Sequence, residues 1–285
     1  MSTSVRQRTT STQSPAPFPP PSSSAPLPVP SSILPSTPLN QPNGSLPNTP
    51  LAISFISAVL ATLVVVPLTY VVQPYLVSLG SAGWGWARPQ LGAYLASVGV
   101  FHLLEFWVTA GWNPAKLSVD SFLINNGAGY HAAHVAGLVE YFLSSYFFPG
   151  KYTGILSSPL YLVPVFAILI LAQTFRSLAM IHANHSFSHV VKAVKHDDHV
   201  LITNGVYAWV RHPSYVGFFW WAIATQLLLG NIASTLAFVY VLGRFFYYRI
   251  INEERHLVRF FGKDYVEYRK RVGTGLPFPI PTNQE

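Results

Sequence analysis

The sequence contains no cysteine and few charged residues. Without cysteine, neither disulfide bonds nor thiolate metal sites can form. Only 9% of the 285 residues are charged, whereas a soluble domain carries about 25%. Hydrophobic residues make up 50% of the chain and aromatic residues 14%. This composition excludes an ordinary soluble domain and predicts a polytopic membrane protein.

The formal net charge of +7 has two explanations. In a soluble protein, such a charge would indicate nucleic-acid binding. In a chain this hydrophobic, basic residues instead flank membrane spans and contact anionic lipid. We therefore expect the lipid bilayer as a partner, and no nucleic acid.

The first 50 residues differ in composition from the rest of the chain. They are rich in proline and serine, and Phe18 is their only aromatic residue. Such a segment cannot bury enough apolar surface to order itself, and it has no pattern of a signal peptide. We therefore divide the chain into a disordered tail (1–50), a four-helix membrane region (51–180) and a region with a loop, a helical hairpin and an interfacial helix (181–285).

Six apolar runs follow the tail. Each is close to the roughly 20 residues that a helix needs to cross about 30 Å of hydrocarbon, although five or seven spans stay open. The last two runs are joined at Gly230 and Asn231, which is typical of a tight helical hairpin. The predicted fold is all-α, with spans at 51–73, 90–109, 128–148, 158–180, 214–230 and 232–249.

Lysine and arginine residues predict the orientation of these spans. In a six-span topology both termini lie on one side, which collects most of the basic residues, whereas the other side has only Arg88 and Lys151. Basic residues favour the cytosolic side of a membrane. We therefore expect cytosolic termini, a cytosolic loop at 181–212, and no sugar on the sequons at Asn43 and Asn184.

The stretch "VRHPSY", residues 210–215, marks the point where this loop meets the fifth apolar run. Pro213 is favoured at the first position of a helix, and it restricts His212 to an extended conformation. The amide groups of a first helical turn are free to bind an anion. Arginine and tyrosine are also normal anchors at membrane helix ends, so both a binding site and an anchor fit this stretch.

Arg249 and Glu253 lie one helical turn apart at the end of the sixth run, and therefore on one helix face. They form either a helix-stabilising pair, worth about 0.2–0.5 kcal/mol, or part of a site. The fifth run starts and the sixth ends on the cytosolic side, so their hairpin brings residues 211–215 alongside residues 244–253. An anion-binding helix start, a guanidinium and a carboxylate are thus predicted to converge.

Other ionisable residues have simpler interpretations. The six histidines of the 182–212 segment match no closed set of zinc ligands, so we expect no metal site. Glu105 and Glu140, inside the second and third runs, are expected to pair with histidines of the same two runs, or else to line a channel. The candidate partners are His102, His131 and His134.

The last predicted helix is amphipathic. Its basic residues lie apart from an apolar side, so we expect it at the membrane surface, as a support rather than a site. The residues of the apolar side are Leu257, Phe261, Tyr265, Tyr268 and Val272.

Three stretches carry a family resemblance over about residues 90–280. They are "FHLLEFWVTAGWNPAKLSVDSFLINN", "HVVKAVKHDDHVLITNGVYAWVRHPSYVGFFWWAIATQLLLGN" and "RFFYYRIINEERHLVRFFGKDYVEYRKRVGTGLPF". Together they resemble the isoprenylcysteine carboxyl methyltransferases of the endoplasmic reticulum. The C-terminal pattern alone is also similar to phospholipid methyltransferases and membrane sterol reductases, and the first stretch and "GTGLPF" favour the narrower choice.

The resemblance implies S-adenosylmethionine-dependent methylation of the C-terminal carboxylate of prenylated CAAX proteins, or of small prenylcysteine analogues. It makes 181–285 the catalytic region of a multi-pass protein of the endoplasmic reticulum membrane. It assigns Arg249 to the substrate carboxylate, as the catalytic candidate, and Glu253 to the amino group of the cofactor. The residues that it implies for cofactor binding are His199, Val200, Leu201, Ile202, Tyr207, His212, Pro213, Ser214, Tyr215 and Glu253.

Three alternatives stay open from the sequence. The first is phospholipid N-methylation at the same cofactor site, and the second is an NADPH-dependent membrane sterol reductase. The third is a non-catalytic transporter or scaffold in which the charged residues near Arg211 and Arg249 only anchor helix ends.

Overall fold

The structure, a computed structural model, describes residues 46–76, 88–191, 194 and 200–281. All regular elements in these ranges are helical, which confirms the predicted all-α class. Residues 1–45, most of the predicted tail, lie outside the described residues. The α-helices of the described part are α1 (Pro50–Leu76), α2 (Pro89–Trp112), α3 (Ala128–Phe147), α4 (Pro159–Ala183), α5 (Pro213–Leu228), α6 (Ile232–Phe261) and α7 (Lys263–Arg271).

Proline and glycine set several helix boundaries. Pro89, Pro159 and Pro213 are the first residues of α2, α4 and α5, where the missing N–H of proline has no helical partner to lose. Gly262 separates α6 from α7 with a φ of 55°, which favours glycine. Each of the six predicted apolar runs forms a helix, and α6 runs on past the predicted span end at residue 249 to Phe261, as the sequence also predicts.

Helices α1, α2 and α4 are long and apolar enough to cross a membrane. Large apolar side chains such as Leu51 and Leu160 are exposed on α1 and α4, as expected for contact with lipid. Helix α5 has 16 residues and so rises about 24 Å, less than the roughly 30 Å of a hydrocarbon core. The chain is a polytopic helical membrane protein, and the number of six spans stays a prediction.

Helices α4 and α5 pack closely because of Gly217. A β-carbon on Gly217 would lie 2.8 Å from the Ala172 carbonyl oxygen and from the Arg176 amide nitrogen, both on α4. Phe101 of α2 stacks on Trp221 of α5, with 4.4 Å between the ring centroids. Helices α2, α4 and α5 therefore form one packed unit that fixes the start of α5.

Glu140 of α3 caps the start of α6. Its carboxylate accepts hydrogen bonds from the amides of Ile232 (2.8 Å), Ala233 (2.9 Å) and Ser234 (2.6 Å). These amides lack partners within the helix. The expected pairing of Glu140 with a histidine is thus wrong, because the unpaired amides of a helix start already satisfy the carboxylate.

Glu105 of α2 pairs with Arg176 of α4 rather than with a histidine of the second or third run. Arg176 Nε and Nη2 lie 2.7 and 3.0 Å from the two carboxylate oxygens. His102 instead contacts the Phe122 carbonyl at 2.7 Å, and His134 contacts the Tyr94 hydroxyl at 2.6 Å. The expected partners were wrong because a buried carboxylate is stabilised best by a two-pronged guanidinium.

Candidate active site

One polar cavity lies where the start of α5, the C-terminal half of α6 and helix α7 meet. The segment after α4 and the 3-10 turn Gly205–Ala208 complete its wall. Every residue that is predicted to bind the cofactor and belongs to the described part of the chain lines this cavity. His199, the remaining predicted residue, lies outside the described residues. The lining candidates are Val200, Leu201, Ile202, Tyr207, His212, Pro213, Ser214, Tyr215 and Glu253.

The start of α5 forms one side of the cavity. His212 precedes the helix with a non-helical φ of −121°, and Pro213 is the first helical residue, as predicted. The His212 ring stacks on the Tyr215 ring with 5.6 Å between the centroids. Ser214 is buried behind them. This turn is therefore a packed part of the protein, and not only an anchor at a membrane surface.

Arg211 holds three segments of the chain together. Its Nε donates to Glu254 Oε1 over 2.9 Å, and His212 Nε2 lies 3.1 Å from the same oxygen. Its Nη1 donates to the carbonyls of Arg269, over 3.1 Å, and Val272. Burial alone would raise the pKa of Glu254, but His212 and then Arg211 hold that pKa below its usual value. Arg211 therefore fixes α6 and the segment after α7 against the start of α5.

Tyr215 connects the two charged residues that the sequence placed on one face of α6. Its hydroxyl donates to Glu253 Oε2 over 2.5 Å and accepts from Arg249 Nε over 2.8 Å. Arg249 Nη2 also donates to the carbonyl of His189 over 2.6 Å. The predicted convergence of the α5 start with Arg249 and Glu253 is thus confirmed.

Arg249 lines a second space, which is separate from the polar cavity. This space is an open groove of about 650 Å³ that residues 190–191 and one face of α6 border. An apolar cavity of about 540 Å³ lies between α3, α5 and α6, and Phe218 and Trp221 form part of its wall. Val241 and Phe245 line both the groove and the apolar cavity, so the two spaces are neighbours.

Helix α7 contributes to the cavity, which the sequence did not predict. Tyr265 and Tyr268 are buried and line the polar cavity, together with Leu257 and Phe261 of α6. The expectation that this segment only supports the site is wrong for these side chains, because the chain turns at Gly262 and directs α7 inward.

The cavity tyrosines are neutral. Burial raises the pKa of Tyr268 to about 12, and it raises the pKa of Tyr207 and of Tyr265 above the usual value as well. The Tyr268 hydroxyl donates to the Tyr207 carbonyl over 2.6 Å. The Tyr265 hydroxyl is buried and has no hydrogen-bond partner among the described residues. It therefore offers a donor to a ligand.

The sequence interpretation also missed Arg176, gave Glu105 the wrong partners and assigned no contact to Glu254. Arg176 and Glu105 are opposite charges inside two predicted spans, and such charges mark functional positions in membrane proteins. That signal was present in the sequence, but it does not reveal which charges meet. Glu254 follows Glu253 directly, and a helix turns about 100° per residue, so the two carboxylates serve different partners.

The fold and the site define a helical membrane protein in which a Glu–Tyr–Arg chain lies between a polar cavity and an open groove, and an apolar cavity adjoins that groove. Comparison with known proteins narrows this class. Residues 165–259 match the family model described as the isoprenylcysteine carboxyl methyltransferase (ICMT) family.

Curated relatives and a solved structure agree with this match. The protein-S-isoprenylcysteine O-methyltransferases of Saccharomyces cerevisiae and Schizosaccharomyces pombe are each 47% identical, over 65% and 70% of this chain and 78% and 88% of their own lengths. The Homo sapiens protein of that name is 42% identical over 71% of this chain and 69% of its own. The solved structure of a eukaryotic intramembrane Ras methyltransferase, ICMT, has a TM-score of 0.69 and 36% identity, and the match covers 79% of this chain and 77% of that one. The chain belongs to the isoprenylcysteine carboxyl methyltransferase family.

Proposed function

We propose that this protein transfers a methyl group from S-adenosylmethionine to the C-terminal carboxylate of a prenylated cysteine, in CAAX proteins after proteolysis. The names of its relatives support this activity. The observation that carries the proposal is the chain from Glu253 through Tyr215 to Arg249, because it links a polar cavity to a groove that adjoins an apolar cavity.

The polar cavity suits S-adenosylmethionine by its chemistry. Glu253, with a side chain 27% exposed, offers a carboxylate to the ammonium group of the cofactor. Tyr207, Phe261 and Tyr268 offer aromatic surfaces to the adenine, and Tyr265 offers a free hydroxyl. The cavity holds about 140 Å³, less than the roughly 300–1,000 Å³ of typical ligand sites, so the cofactor would also occupy its open mouth. The cofactor supplies an electrophilic methyl group.

Arg249 is the group that would hold the substrate carboxylate. An α-carboxyl group has a pKa of about 3.5 and is already ionised at neutral pH, so the reaction needs no general base. The guanidinium is held by Tyr215 through Nε and by the His189 carbonyl through Nη2, which leaves the two N–H groups of Nη1 and the second N–H of Nη2 for the substrate. Its role is to align a carboxylate oxygen with the methyl carbon, and alignment alone contributes up to about 7–11 kcal/mol in favourable reactions.

The prenyl tail would occupy the apolar cavity between α3, α5 and α6. Val241 and Phe245 border both this cavity and the Arg249 groove, so a carboxylate at Arg249 and a tail beyond Phe245 would be the two ends of one ligand. Transfer of the methyl group neutralises an anion and a cation, and an environment shielded from water favours such a step.

The location that fits these spaces is the cytosolic surface of the endoplasmic reticulum membrane. A prenyl tail dissolves in lipid, whereas S-adenosylmethionine dissolves in water, so the reaction belongs at their interface. The basic residues of α6 and α7 favour cytosolic placement of this end of the protein.

Methyl transfer in isolated membranes tests the proposed function. Membranes containing the protein are incubated with radiolabelled S-adenosylmethionine and N-acetyl-S-farnesylcysteine, and base-labile methyl ester is measured. The proposal requires ester that depends on both compounds. Label in lipid amines, or NADPH consumption with a sterol, would support the alternative enzymes instead. The absence of turnover with all of these substrates would support the third alternative, a non-catalytic transporter or scaffold.

A further inference from the structure

A buried network of charged and polar side chains connects to both the polar cavity and the groove that Arg249 lines. Glu105 is fully buried, and it receives two hydrogen bonds from Arg176, of 2.7 and 3.0 Å. Phe101 and Phe218 lie beside the Arg176 guanidinium, each with its ring centroid 5.7 Å away. A carboxylate and a guanidinium thus meet in an apolar part of the helical bundle, where unpaired charges would be strongly destabilising.

The first connection runs from Glu105 to Arg249. His189 Nε2 donates to Glu105 Oε2 over 2.8 Å. The carbonyl of the same histidine accepts the 2.6 Å hydrogen bond from Arg249 Nη2. The side chain of His189 therefore fixes the position of its own carbonyl, and that carbonyl orients the guanidinium of Arg249.

The second connection runs from Arg176 to the polar cavity. Its Nη1 donates to the Ser214 hydroxyl over 2.7 Å and to the Ser214 carbonyl at 3.4 Å. Ser214 lies in the first turn of α5, next to Tyr215. One ion pair thus orients both the start of α5 and the loop that contacts Arg249.

The segment directly after α2 holds the same loop at a second place. Asn113 Nδ2 and Lys116 Nζ donate to the carbonyl of Phe187, over 3.2 and 3.0 Å. The Phe187 ring packs edge-on against the ring of His189. The loop is therefore held at Phe187 and at His189, on both sides of Ser188. Glu105 is the buried partner of His189.

We propose that Glu105 is a positioning residue of the active site, which acts through His189 to orient Arg249 for the substrate carboxylate. This inference rests on the proposed function. A helix-packing role alone would use only the pairing with Arg176, and apolar residues of similar size would hold two helices as well as such a pair. The hydrogen bond from Glu105 to His189 has no part in packing α2 against α4, and it leads directly to Arg249.

Variants of His189 separate positioning from packing, because they leave the ion pair of Glu105 and Arg176 in place. We expect His189→Ala to raise the KM for N-acetyl-S-farnesylcysteine about tenfold, which corresponds to one lost hydrogen bond to a charged group. Binding of S-adenosylhomocysteine, measured by calorimetry on purified protein, should change less than about twofold on the same scale. His189→Gln retains an N–H donor, so its KM should return most of the way to the wild-type value.

Glu105→Gln and a matched control complete the test. Glu105→Gln should raise the same KM, whereas Glu140→Gln, which alters another carboxylate within the bundle, should lower the thermal unfolding temperature without changing KM. If Glu105→Gln does not fold, the His189 variants alone test the inference. An unchanged KM in His189→Ala, or a His189→Gln variant as impaired as His189→Ala, overturns the inference. Wild-type protein without methyl transfer overturns the proposed function itself.

Discussion

Arg249 donates a hydrogen bond of 2.8 Å to the hydroxyl of Tyr215, and that hydroxyl donates in turn to Glu253 over 2.5 Å. The proton order is set by chemistry, because a guanidinium only donates and a carboxylate only accepts. The phenol therefore separates the polar cavity from the groove while it holds one charged residue of each.

Removal of the Tyr215 hydroxyl should weaken both halves of the site. Tyr215→Phe keeps the stacking on His212 and Phe246, so we expect a folded protein whose kcat/KM falls about tenfold, as for the loss of one charge-assisted hydrogen bond. Tyr161→Phe is the matched control, because Tyr161 donates to a carbonyl of α5 away from the site. Equal kinetics in the two variants would contradict a role for the hydroxyl.

Arg249→Lys should lose most activity, although it keeps the positive charge. A lysine ammonium cannot reproduce the planar fork that contacts Tyr215 and the His189 carbonyl, so we expect kcat/KM for the prenylcysteine to fall by about 10–100-fold. Arg244→Lys is the control, since Arg244 lines the same groove, but its guanidinium lies over the ring of Tyr248. Near-normal turnover of Arg249→Lys would remove Arg249 from the site.

Glu253→Gln should act on the cofactor rather than on the lipid substrate. Loss of the carboxylate charge should weaken S-adenosylhomocysteine binding about tenfold, measured by calorimetry, while the KM for N-acetyl-S-farnesylcysteine changes little. Arg249→Lys should show the opposite pattern in the same two measurements. An unchanged affinity for S-adenosylhomocysteine in Glu253→Gln would exclude the proposed contact.

Glu254 should make the stability of the site depend on pH. Its pKa is lowered in the folded protein, so its contribution is present above the unfolded pKa of about 4.3 and is lost as pH falls through the folded pKa. At neutral pH, Glu254→Gln should destabilise the protein by about 3–5 kcal/mol, because Arg211 loses its buried partner. The difference in unfolding temperature between the variant and the wild type should therefore become small at acidic pH.

Glu267→Gln is the control for that measurement. Glu267 pairs with Lys270 over 2.7 Å, and both side chains are more than 60% exposed. Exposed pairs of this kind contribute little to stability, so the unfolding temperature should hardly change at any pH. An effect as large as that of Glu254→Gln would mean that burial is not the cause.

Because the chain has no cysteine, single introduced cysteines can test the orientation of the protein in the membrane. Single cysteines are introduced at two exposed positions, Ile155→Cys before α4 and Arg259→Cys near the end of α6. In sealed microsomes, a membrane-impermeant maleimide should label the cysteine at 259 at once and the cysteine at 155 only after detergent is added. The reverse pattern, or sugar on Asn184, would invert the topology.

The sequence predicted those features that depend on local patterns. The α5–α6 hairpin follows from two apolar runs that are joined at Gly230 and Asn231, and the start of α5 follows from Pro213. The convergence of the α5 start with Arg249 is a consequence of that hairpin. These predictions needed no knowledge of how distant helices rotate against each other.

The remaining features depend on contacts between distant parts of the chain. Glu105 and Arg176 meet only because α2 and α4 turn the right faces toward each other, and apolar helices allow many rotations. The break at Gly262 was missed because the apolar residues keep a helical spacing through it, so the pattern alone fits one continuous helix.

The clamp formed by Arg211 has a consequence for biosynthesis. This side chain binds Glu254 and the carbonyls of Arg269 and Val272, so one wall of the polar cavity consists of residues made some 60 positions later. A nascent chain therefore has no complete polar cavity until residues 265–273 have left the ribosome, and a product truncated before Arg269 would insert into the membrane with that wall incomplete.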